Sequence, residues 1–174
     1  MSGAHSTHPG PTRIGIGRGI VSDLVAHARR AAPNEACGLI LGSGEAAGGG
    51  RALRFVPTTN AAASPYRYEI DSKDLLRLTL DADDRDEVFW AIVHSHTHTA
   101  ARPSPTDIGL AFYPDALYIL VSLEGDPREP SAPPPLGDTA VEGDPAGEGD
   151  PAVAVRAWRI VRGTIFEVAL EVVA

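Results

Sequence analysis

Hydrophobic residues recur along the chain with two different spacings, and each spacing predicts a different kind of secondary structure. Alternation with polar residues, or a short continuous apolar run, is typical of strands because successive side chains point to opposite faces of a sheet. This pattern occurs in seven stretches: 12–20, 35–42, 51–60, 87–93, 116–124, 152–161 and 164–172. The second and fourth runs are nearly continuous, which predicts buried strands.

Apolar residues spaced three and four apart predict helices in three further stretches. These stretches are residues 22–32, 72–84 and 104–113. Each opens on a serine that can cap a helix, namely Ser22, Ser72 or Ser104. Pro33 ends the first helix. Residues 64–71, "SPYRYEID", are predicted to be extended.

The order of these elements predicts one domain that mixes strands and helices. A glycine-rich turn joins the second and third strands, and Arg162 with Gly163 joins the last two, so antiparallel pairs are expected at both ends. Residues 13–174 form this mixed, α+β-like α/β domain, after a flexible tail at 1–12. Residues 125–151 interrupt it with many Gly and Pro and a repeated "EGDP", a composition that predicts a disordered insertion.

Charge and composition narrow the classes of function. The net charge of −8 argues against a nucleic-acid groove, and the insertion, with seven acids against one base, carries most of it. No apolar run approaches the roughly 18 residues of a membrane span, and the N-terminus lacks the pattern of a secretory signal. The single cysteine, Cys37, cannot form an internal disulfide and is expected to behave as a small buried hydrophobe. These features predict a cytoplasmic protein.

The stretch "HSHTHTAARPSPTD", which follows the fourth strand, contains the residues with the clearest chemistry. His94 and His96 share one face of an extended segment, so both imidazoles can point at one ion, for which Zn–N distances are about 2.0–2.1 Å. His98 and Asp107 are both candidates for a third ligand. Asp107 also completes a helix start with Ser104, because a carboxylate at this position can cap the backbone. The capping role and the metal role are compatible.

Other histidine-based sites fit the sequence less well. The H-x-H-x-D-H pattern of binuclear metallohydrolases needs an aspartate where His98 stands, and a barrel amidohydrolase needs about 250 residues. A zinc deaminase needs several cysteines, whereas the sequence has only Cys37, and H-E-x-x-H does not occur. A cupin would be mostly β, which the three predicted helices oppose. The G-x-G-x-G at Gly15–Gly19 lacks the surrounding strand–helix unit of a dinucleotide site.

The spacing of these residues resembles the active-site signature of the JAMM (MPN+) metalloproteases. That signature is H-x-H, seven residues, Ser, two residues and Asp, and it is matched by His94, His96, Ser104 and Asp107. Glu35, on a buried strand, supplies the upstream glutamate of the family. The likeness is greatest to small single-domain bacterial members that act on ubiquitin-like sulfur-carrier proteins. It covers most of the chain before the insertion, including "NAAASPYRYEID".

The resemblance implies a fold and a mechanism. The fold is the cytidine-deaminase-like, three-layer arrangement of a JAMM/MPN domain, with a central, mostly antiparallel curved sheet flanked by helices. The implied cofactor is Zn²⁺, held by His94, His96 and Asp107. Glu35 would act as general base, and Ser104 would stabilise the oxyanion.

The resemblance also implies a partner, a ubiquitin-like sulfur-carrier protein with a C-terminal Gly-Gly, from which newly made cysteine is released. Tyr66, Arg67 and His98 are the candidate substrate contacts. Thr97 stands where many members have proline, a difference that removes no ligand. Two alternatives are a broader isopeptidase that removes ubiquitin-like tags from proteins and a non-catalytic MPN scaffold. The complete set of five signature residues disfavours the scaffold.

Overall fold

Seven strands and three α-helices, besides a single 3-10 turn at Ala46–Gly48, make up the part of the chain that the computed structural model describes, residues 10–124 and 153–174. In chain order they are β1 (Arg13–Gly17), α1 (Arg18–Ala31), β2 (Cys37–Gly42), β3 (Ala52–Thr58), α2 (Ser72–Asp84), β4 (Val88–His96), α3 (Pro105–Gly109), β5 (Leu117–Ser122), β6 (Ala154–Val161) and β7 (Thr164–Val173). Every predicted strand and helix is present. Most of the predicted tail and the whole predicted insertion at 125–151 lie outside the described residues.

The seven strands form one mixed sheet in the order β1-β7-β6-β5-β4-β2-β3. Within the described residues, four of its six neighbouring pairs are antiparallel, and β4/β5 and β1/β7 are parallel. The two predicted hairpins, β2/β3 and β6/β7, are confirmed. Arg162 and Gly163 both have positive φ, 50° and 78°, as a two-residue hairpin turn requires.

Helices cover both faces of the sheet, which gives three layers. Along β2, Ile40 packs into the core beneath α1, whereas Leu39 and Leu41 pack into the core beneath α2. This alternation follows from the strand period of two, and both faces are apolar because both are covered. The mixed, mostly antiparallel, three-layer fold is therefore confirmed.

Two of the predicted helix caps, Ser22 and Ser72, are wrong, and the third, Ser104, is right. Ser22 lies inside α1, because β1 passes directly into the helix at Gly17, whose position is not capped by a side chain. Ser72 is the first residue of α2, and the carboxylate of Asp71 caps the helix by accepting from the N–H groups of Lys73 and Asp74. Ser104 caps α3 as predicted, but this helix ends at residue 109 instead of 113.

Three strands place the catalytic candidates at one end of the sheet. His94 pairs with Cys37 of β2 and with Leu120 of β5, and His96 pairs with Ser122 at the end of β5. Glu35 lies two residues before β2, so it reaches the same end of the sheet as the two histidines. The thiol of Cys37 is fully buried, 3.3 Å from the hydroxyl of Thr58, in agreement with its predicted structural role.

None of the helices within residues 10–124 and 153–174 combines the length and the apolar character that crossing a membrane would need.

Candidate metal centre

The end of β4 presents two imidazoles to one point. His94 and His96 are both buried, and their Nε2 atoms lie 3.2 Å apart. Ser95 between them faces the other way, where its Oγ accepts a hydrogen bond from the N–H of Ala36 at 2.7 Å. Because successive side chains of β4 point to opposite faces, the histidines and the serine have different roles. The histidines form the site, and the serine ties β4 to the segment that carries Glu35.

The start of α3 brings a carboxylate to the same point. The Oγ of Ser104 accepts from the N–H of Asp107 at 3.1 Å, and the Oδ2 of Asp107 accepts from the N–H of Ser104 at 2.7 Å. This capping box fixes the Asp107 side chain. Its Oδ1 then lies 3.3 Å from Nε2 of His94, and its Oδ2 lies 3.4 Å from Nε2 of His96. His98 is exposed and lies outside this group.

The separations between these atoms suit a small metal ion. Four ligands arranged tetrahedrally at 2.0–2.1 Å from a zinc ion lie about 3.3 Å from one another. The two Nε2 atoms lie 3.2 Å apart, and each lies 3.3–3.4 Å from a different oxygen of Asp107. With one ligand atom taken from each residue, all three lie within 4.8 Å of one another. The carbonyl of Ala100, 2.8 Å from Nδ1 of His96, can only accept, so that nitrogen carries a proton. Three residues that converge in this way could hold a metal ion.

The ionisation of the three residues agrees with this role. Complete burial lowers the pKa of His94 and outweighs the nearby Asp107, so its imidazole is neutral. Burial alone would raise the pKa of Asp107, but hydrogen bonds with His94 and His96 outweigh burial and hold this pKa well below its usual range. Burial likewise opposes the charge on His96, but Asp107 and the carbonyl of Ala100 raise its pKa overall. A metal ion binds only an unprotonated nitrogen, so binding at Nε2 of His96 would displace any proton there.

Glu35 lies in the same small cavity, of about 120 Å³, which His96, Ser104 and Asp107 also line. Its side chain is buried, and its backbone N–H donates to the carbonyl of Ser64 at 2.9 Å. Burial raises the pKa of Glu35 to about 7, with the charge of Asp107 adding to the effect and that of His96 opposing it. A carboxyl with a pKa near 7 can both take and return a proton at neutral pH.

Two of the three predicted substrate contacts line this cavity. Tyr66 is 77% exposed, and its ring centroid lies 5.6 Å from that of His98 at the mouth. Thr97 links the loop after β4, which carries His98, to the segment that carries Tyr66, since its hydroxyl donates to the carbonyl of Pro65 at 3.0 Å. Arg67 is exposed and is not among the described residues that line the cavity. Its contact with a substrate stays a prediction.

Asn60 organises the loop beside the site, a role that the sequence reasoning missed. Its Nδ2 donates to the carbonyls of Glu35 and Arg67 at 2.9 and 3.1 Å. Its Oδ1 accepts from the N–H groups of Ala62 and Glu69, both at 3.0 Å. All four bonds that an asparagine amide can make are therefore used. The asparagine, serine and proline of "NAAASP" are residues typical of turns, which was the available signal.

Tyr68 is the second residue that the sequence reasoning missed. Its ring stacks on the imidazole of His94, with centroids 4.2 Å apart and planes inclined by 20°. Tyr68 lies two positions beyond Tyr66 in "YRY", but this spacing alone does not reveal a contact with a histidine 26 residues away.

Comparison with known families gives a match that includes the whole candidate site. The family described as prokaryotic homologs of the JAB domain matches residues 18–132, which include all five signature residues.

Individual relatives agree with this match. The CysO-cysteine peptidase of Mycobacterium tuberculosis is 48% identical over 109 residues, which cover 63% of this chain and 72% of the relative. A protein of Thermus thermophilus named as a probable TtuB-protein conjugate cleaving protease is 37% identical over 112 residues, 63% of this chain and 70% of that protein. A protein of Desulfitobacterium hafniense with a known solution structure is 27% identical, covers 92% of each chain and superposes with a TM-score of 0.69.

Proposed function

This chain belongs to the prokaryotic homologs of the JAB domain, and we propose that it is a zinc-dependent peptidase which hydrolyses the amide bond at the C-terminus of a ubiquitin-like sulfur-carrier protein and releases cysteine. One observation carries the proposal. The Nε2 atoms of His94 and His96 lie 3.2 Å apart, each within 3.4 Å of one oxygen of the Asp107 carboxylate, and Glu35 lines the cavity that His96 and Asp107 also line. The relatives named as a peptidase and a protease support a hydrolytic reaction.

In this proposal His94, His96 and Asp107 would hold zinc. Two nitrogens and one oxygen from the protein form the three-ligand set that is typical of catalytic zinc, where a fourth position stays open. When bound, zinc supplies the Lewis acidity that makes water a nucleophile near neutral pH.

Glu35 would move the proton. Buried beside the reacting atoms and with its pKa raised to about 7, it can accept the proton that the attacking water loses. The same carboxyl then returns the proton to the nitrogen of the leaving amine, which becomes the amino group of the product. The bonds that hold the backbone on either side of Glu35, to Ser64 and to Ser95, keep the carboxyl in the cavity during both transfers.

Ser104 would stabilise the carbonyl oxygen of the substrate as it gains negative charge. As the cap of α3, its Oγ accepts a bond from the N–H of Asp107, which uses an acceptor lone pair and leaves the hydroxyl proton free. That proton can be donated to the oxyanion. One hydroxyl can therefore position the third metal ligand and contact the substrate at once.

The dimensions of the cavity support a slender substrate tail. A C-terminal Gly-Gly has no side chains, so it suits a space of about 120 Å³ with Tyr66 and His98 at its mouth. We propose that these two residues contact the tail or the leaving amino acid, and that Arg67 contacts the body of the carrier. A reducing cytoplasm is the proposed setting, in keeping with the free thiol of Cys37.

The direct test uses the purified full-length protein and a carrier that bears a C-terminal cysteine. With zinc, the protein should release free cysteine and shorten the carrier by the mass of one residue, and a chelator should abolish the reaction until zinc is added back. A protein that takes up no zinc, or that leaves the adduct intact when loaded, would overturn the proposal.

A second candidate is an isopeptidase that removes a ubiquitin-like tag from proteins. It is favoured by the 37% identity to the Thermus protein named as a conjugate-cleaving protease. Parallel assays with a carrier–cysteine adduct and a carrier–protein conjugate separate the two functions. Faster cleavage of the conjugate would favour the second candidate. The non-catalytic scaffold is disfavoured because Glu35 and the three candidate ligands are brought together.

A further inference from the structure

The two histidines of the candidate metal centre are held in different ways. The Nδ1 of His96 lies 2.8 Å from the carbonyl of Ala100 and 3.0 Å from the hydroxyl of Thr99. The Nδ1 of His94 is buried and has no hydrogen-bond partner among the described residues. Metal-binding histidines nearly always use the second ring nitrogen in a hydrogen bond that fixes the orientation of the ring. His94 lacks this restraint and needs another one.

The ring of Tyr68 is in a position to provide that restraint. It lies nearly parallel to the imidazole of His94, at a centroid distance of 4.2 Å. The ring of His96 approaches His94 in an edge-on arrangement, with centroids 5.0 Å apart and an angle of 60°. Rotation of the His94 ring about its Cβ–Cγ bond would break the stack with Tyr68 and turn Nε2 away from His96 and Asp107.

Tyr68 is itself held firmly from both sides. The amide of Asn60 donates to the carbonyl of Arg67, the preceding residue, and accepts from the N–H of Glu69, the following one. The same amide donates to the carbonyl of Glu35. The segment that carries the tyrosine ring is therefore fixed relative to the base as well as to the histidine.

We propose that Tyr68 is a positioning residue for the metal, whose ring orients His94 by stacking in place of the missing hydrogen bond. The inference rests on the proposed zinc site. It assigns the effect to the flat ring and not to the hydroxyl, because the stack is the contact that joins Tyr68 to His94. The zinc affinity should therefore follow the presence of an aromatic ring at position 68.

The test measures the zinc dissociation constant of the metal-free full-length protein by competition with a chromophoric chelator. Tyr68→Phe keeps the ring and should bind zinc within about twofold of the wild type. Tyr68→Leu removes the ring and should weaken binding roughly ten- to hundredfold, the usual effect of losing a residue that orients a ligand. Tyr68→Met also fills the space without a ring. It should weaken zinc binding to the same extent, and it replaces Tyr68→Leu in the test if the leucine variant is unstable.

Tyr113→Leu is the control, because Tyr113 is also a tyrosine in contact with an aromatic ring, that of Phe89, but it is 39% exposed and lies outside the candidate metal centre. It should leave the zinc affinity unchanged. Thermal unfolding of the metal-free proteins separates general destabilisation from a loss of orientation. At a temperature at which both metal-free variants are fully folded, the zinc affinity should be weakened in Tyr68→Leu and unchanged in Tyr113→Leu.

Three outcomes would decide against the inference. Wild-type affinity in both ring-less variants would show that the stack does not orient His94, and equal losses in Tyr68→Phe and Tyr68→Leu would assign the effect to the hydroxyl. In both cases the proposed function would stand. A wild-type protein that binds no zinc would overturn the proposed function and this inference together.

Discussion

The candidate site has two halves that are built differently. The strand half contains Glu35, His94 and His96, on or next to the central strands β2 and β4. The loop half contains Ser104 and Asp107 at the start of α3, together with residues 60–69. In the strand half, backbone ladders on both sides set the spacing of the side chains. In the loop half, a few hydrogen bonds of side chains hold the residues in position.

This difference teaches which changes the site should tolerate. The backbone of β4 is hydrogen-bonded to two neighbouring strands and lies between two apolar cores, so replacing one side chain should leave its neighbours in place. The capping box of Ser104 and Asp107 and the four hydrogen bonds of the Asn60 amide each depend on a single side chain. Losing one side chain there should move others as well.

The largest effect should come from the strand half. His96→Ala removes a candidate ligand and should abolish zinc binding together with turnover, a loss of at least about a thousandfold, since a Lewis acid contributes several kcal/mol to such a reaction. Zinc content by atomic absorption and release of cysteine from the adduct measure the two losses. Retention of zinc at full occupancy would show that His96 is not a ligand.

Glu35→Gln should separate chemistry from metal binding within the same half. The amide keeps the shape of the side chain but cannot accept the proton, so turnover should fall by about 10²- to 10⁴-fold while zinc stays bound. The same two assays apply. Loss of zinc equal to that of His96→Ala would mean that Glu35 is a ligand and not the base.

Ser104→Ala tests the loop half. The change removes a proposed oxyanion donor, so turnover should fall by about 10²- to 10³-fold. It also removes the cap that holds Asp107, so zinc affinity should fall as well. Ser104→Thr keeps a hydroxyl and serves as its control. If Ser104→Ala lowers turnover but binds zinc normally, the capping box is not what positions the carboxylate.

A pH series on the metal-free protein tests the burial of Glu35. Folding raises the pKa of this carboxyl from 4.5 to about 7, so the folded protein binds the proton more tightly than the unfolded chain does. The group therefore destabilises the folded state increasingly as pH rises from 4.5 to 7. Relative to the wild type, Glu35→Gln should gain roughly 1–3 kcal/mol of unfolding free energy between pH 4.5 and pH 8. Urea denaturation measures this gain, and a constant difference would contradict it.

The smallest effect should come from a helix cap outside the site. Asp71→Ala removes the carboxylate that accepts from the N–H groups of Lys73 and Asp74, and it should lower the unfolding free energy by about 1 kcal/mol. Zinc affinity and turnover should not change, because α2 carries none of the candidate ligands. A loss of zinc in this variant would mean that any weakened helix start disturbs the centre, and the interpretation of Ser104→Ala would then fail.

The sequence predicts the strand half better than the loop half, for a physical reason. Alternation along a strand fixes which side chains share a face, so the pairing of His94 with His96 and the opposite orientation of Ser95 follow from spacing alone. The capping box of Ser104 and Asp107 is equally local. Contacts between distant segments leave no such trace, which is why Asn60 and Tyr68 were missed.

Helix starts illustrate the same limit. A serine before an apolar stripe suggests a cap, yet Ser22 lies inside α1 because β1 leads straight into the helix. At α2 an aspartate one position earlier takes the role of Ser72, since its carboxylate can accept from two N–H groups. Propensity indicates that a helix is present, whereas the surrounding chain decides the residue at which it begins.

The buried thiol next to the site has a consequence for the redox behaviour of this peptidase. Cys37 pairs with His94 across β2 and β4, but its side chain is shielded from solvent, and burial raises its pKa to about 11. Attack on a disulfide requires an accessible thiolate. The proposed release of cysteine could therefore continue in the presence of cystine without Cys37 forming a mixed disulfide.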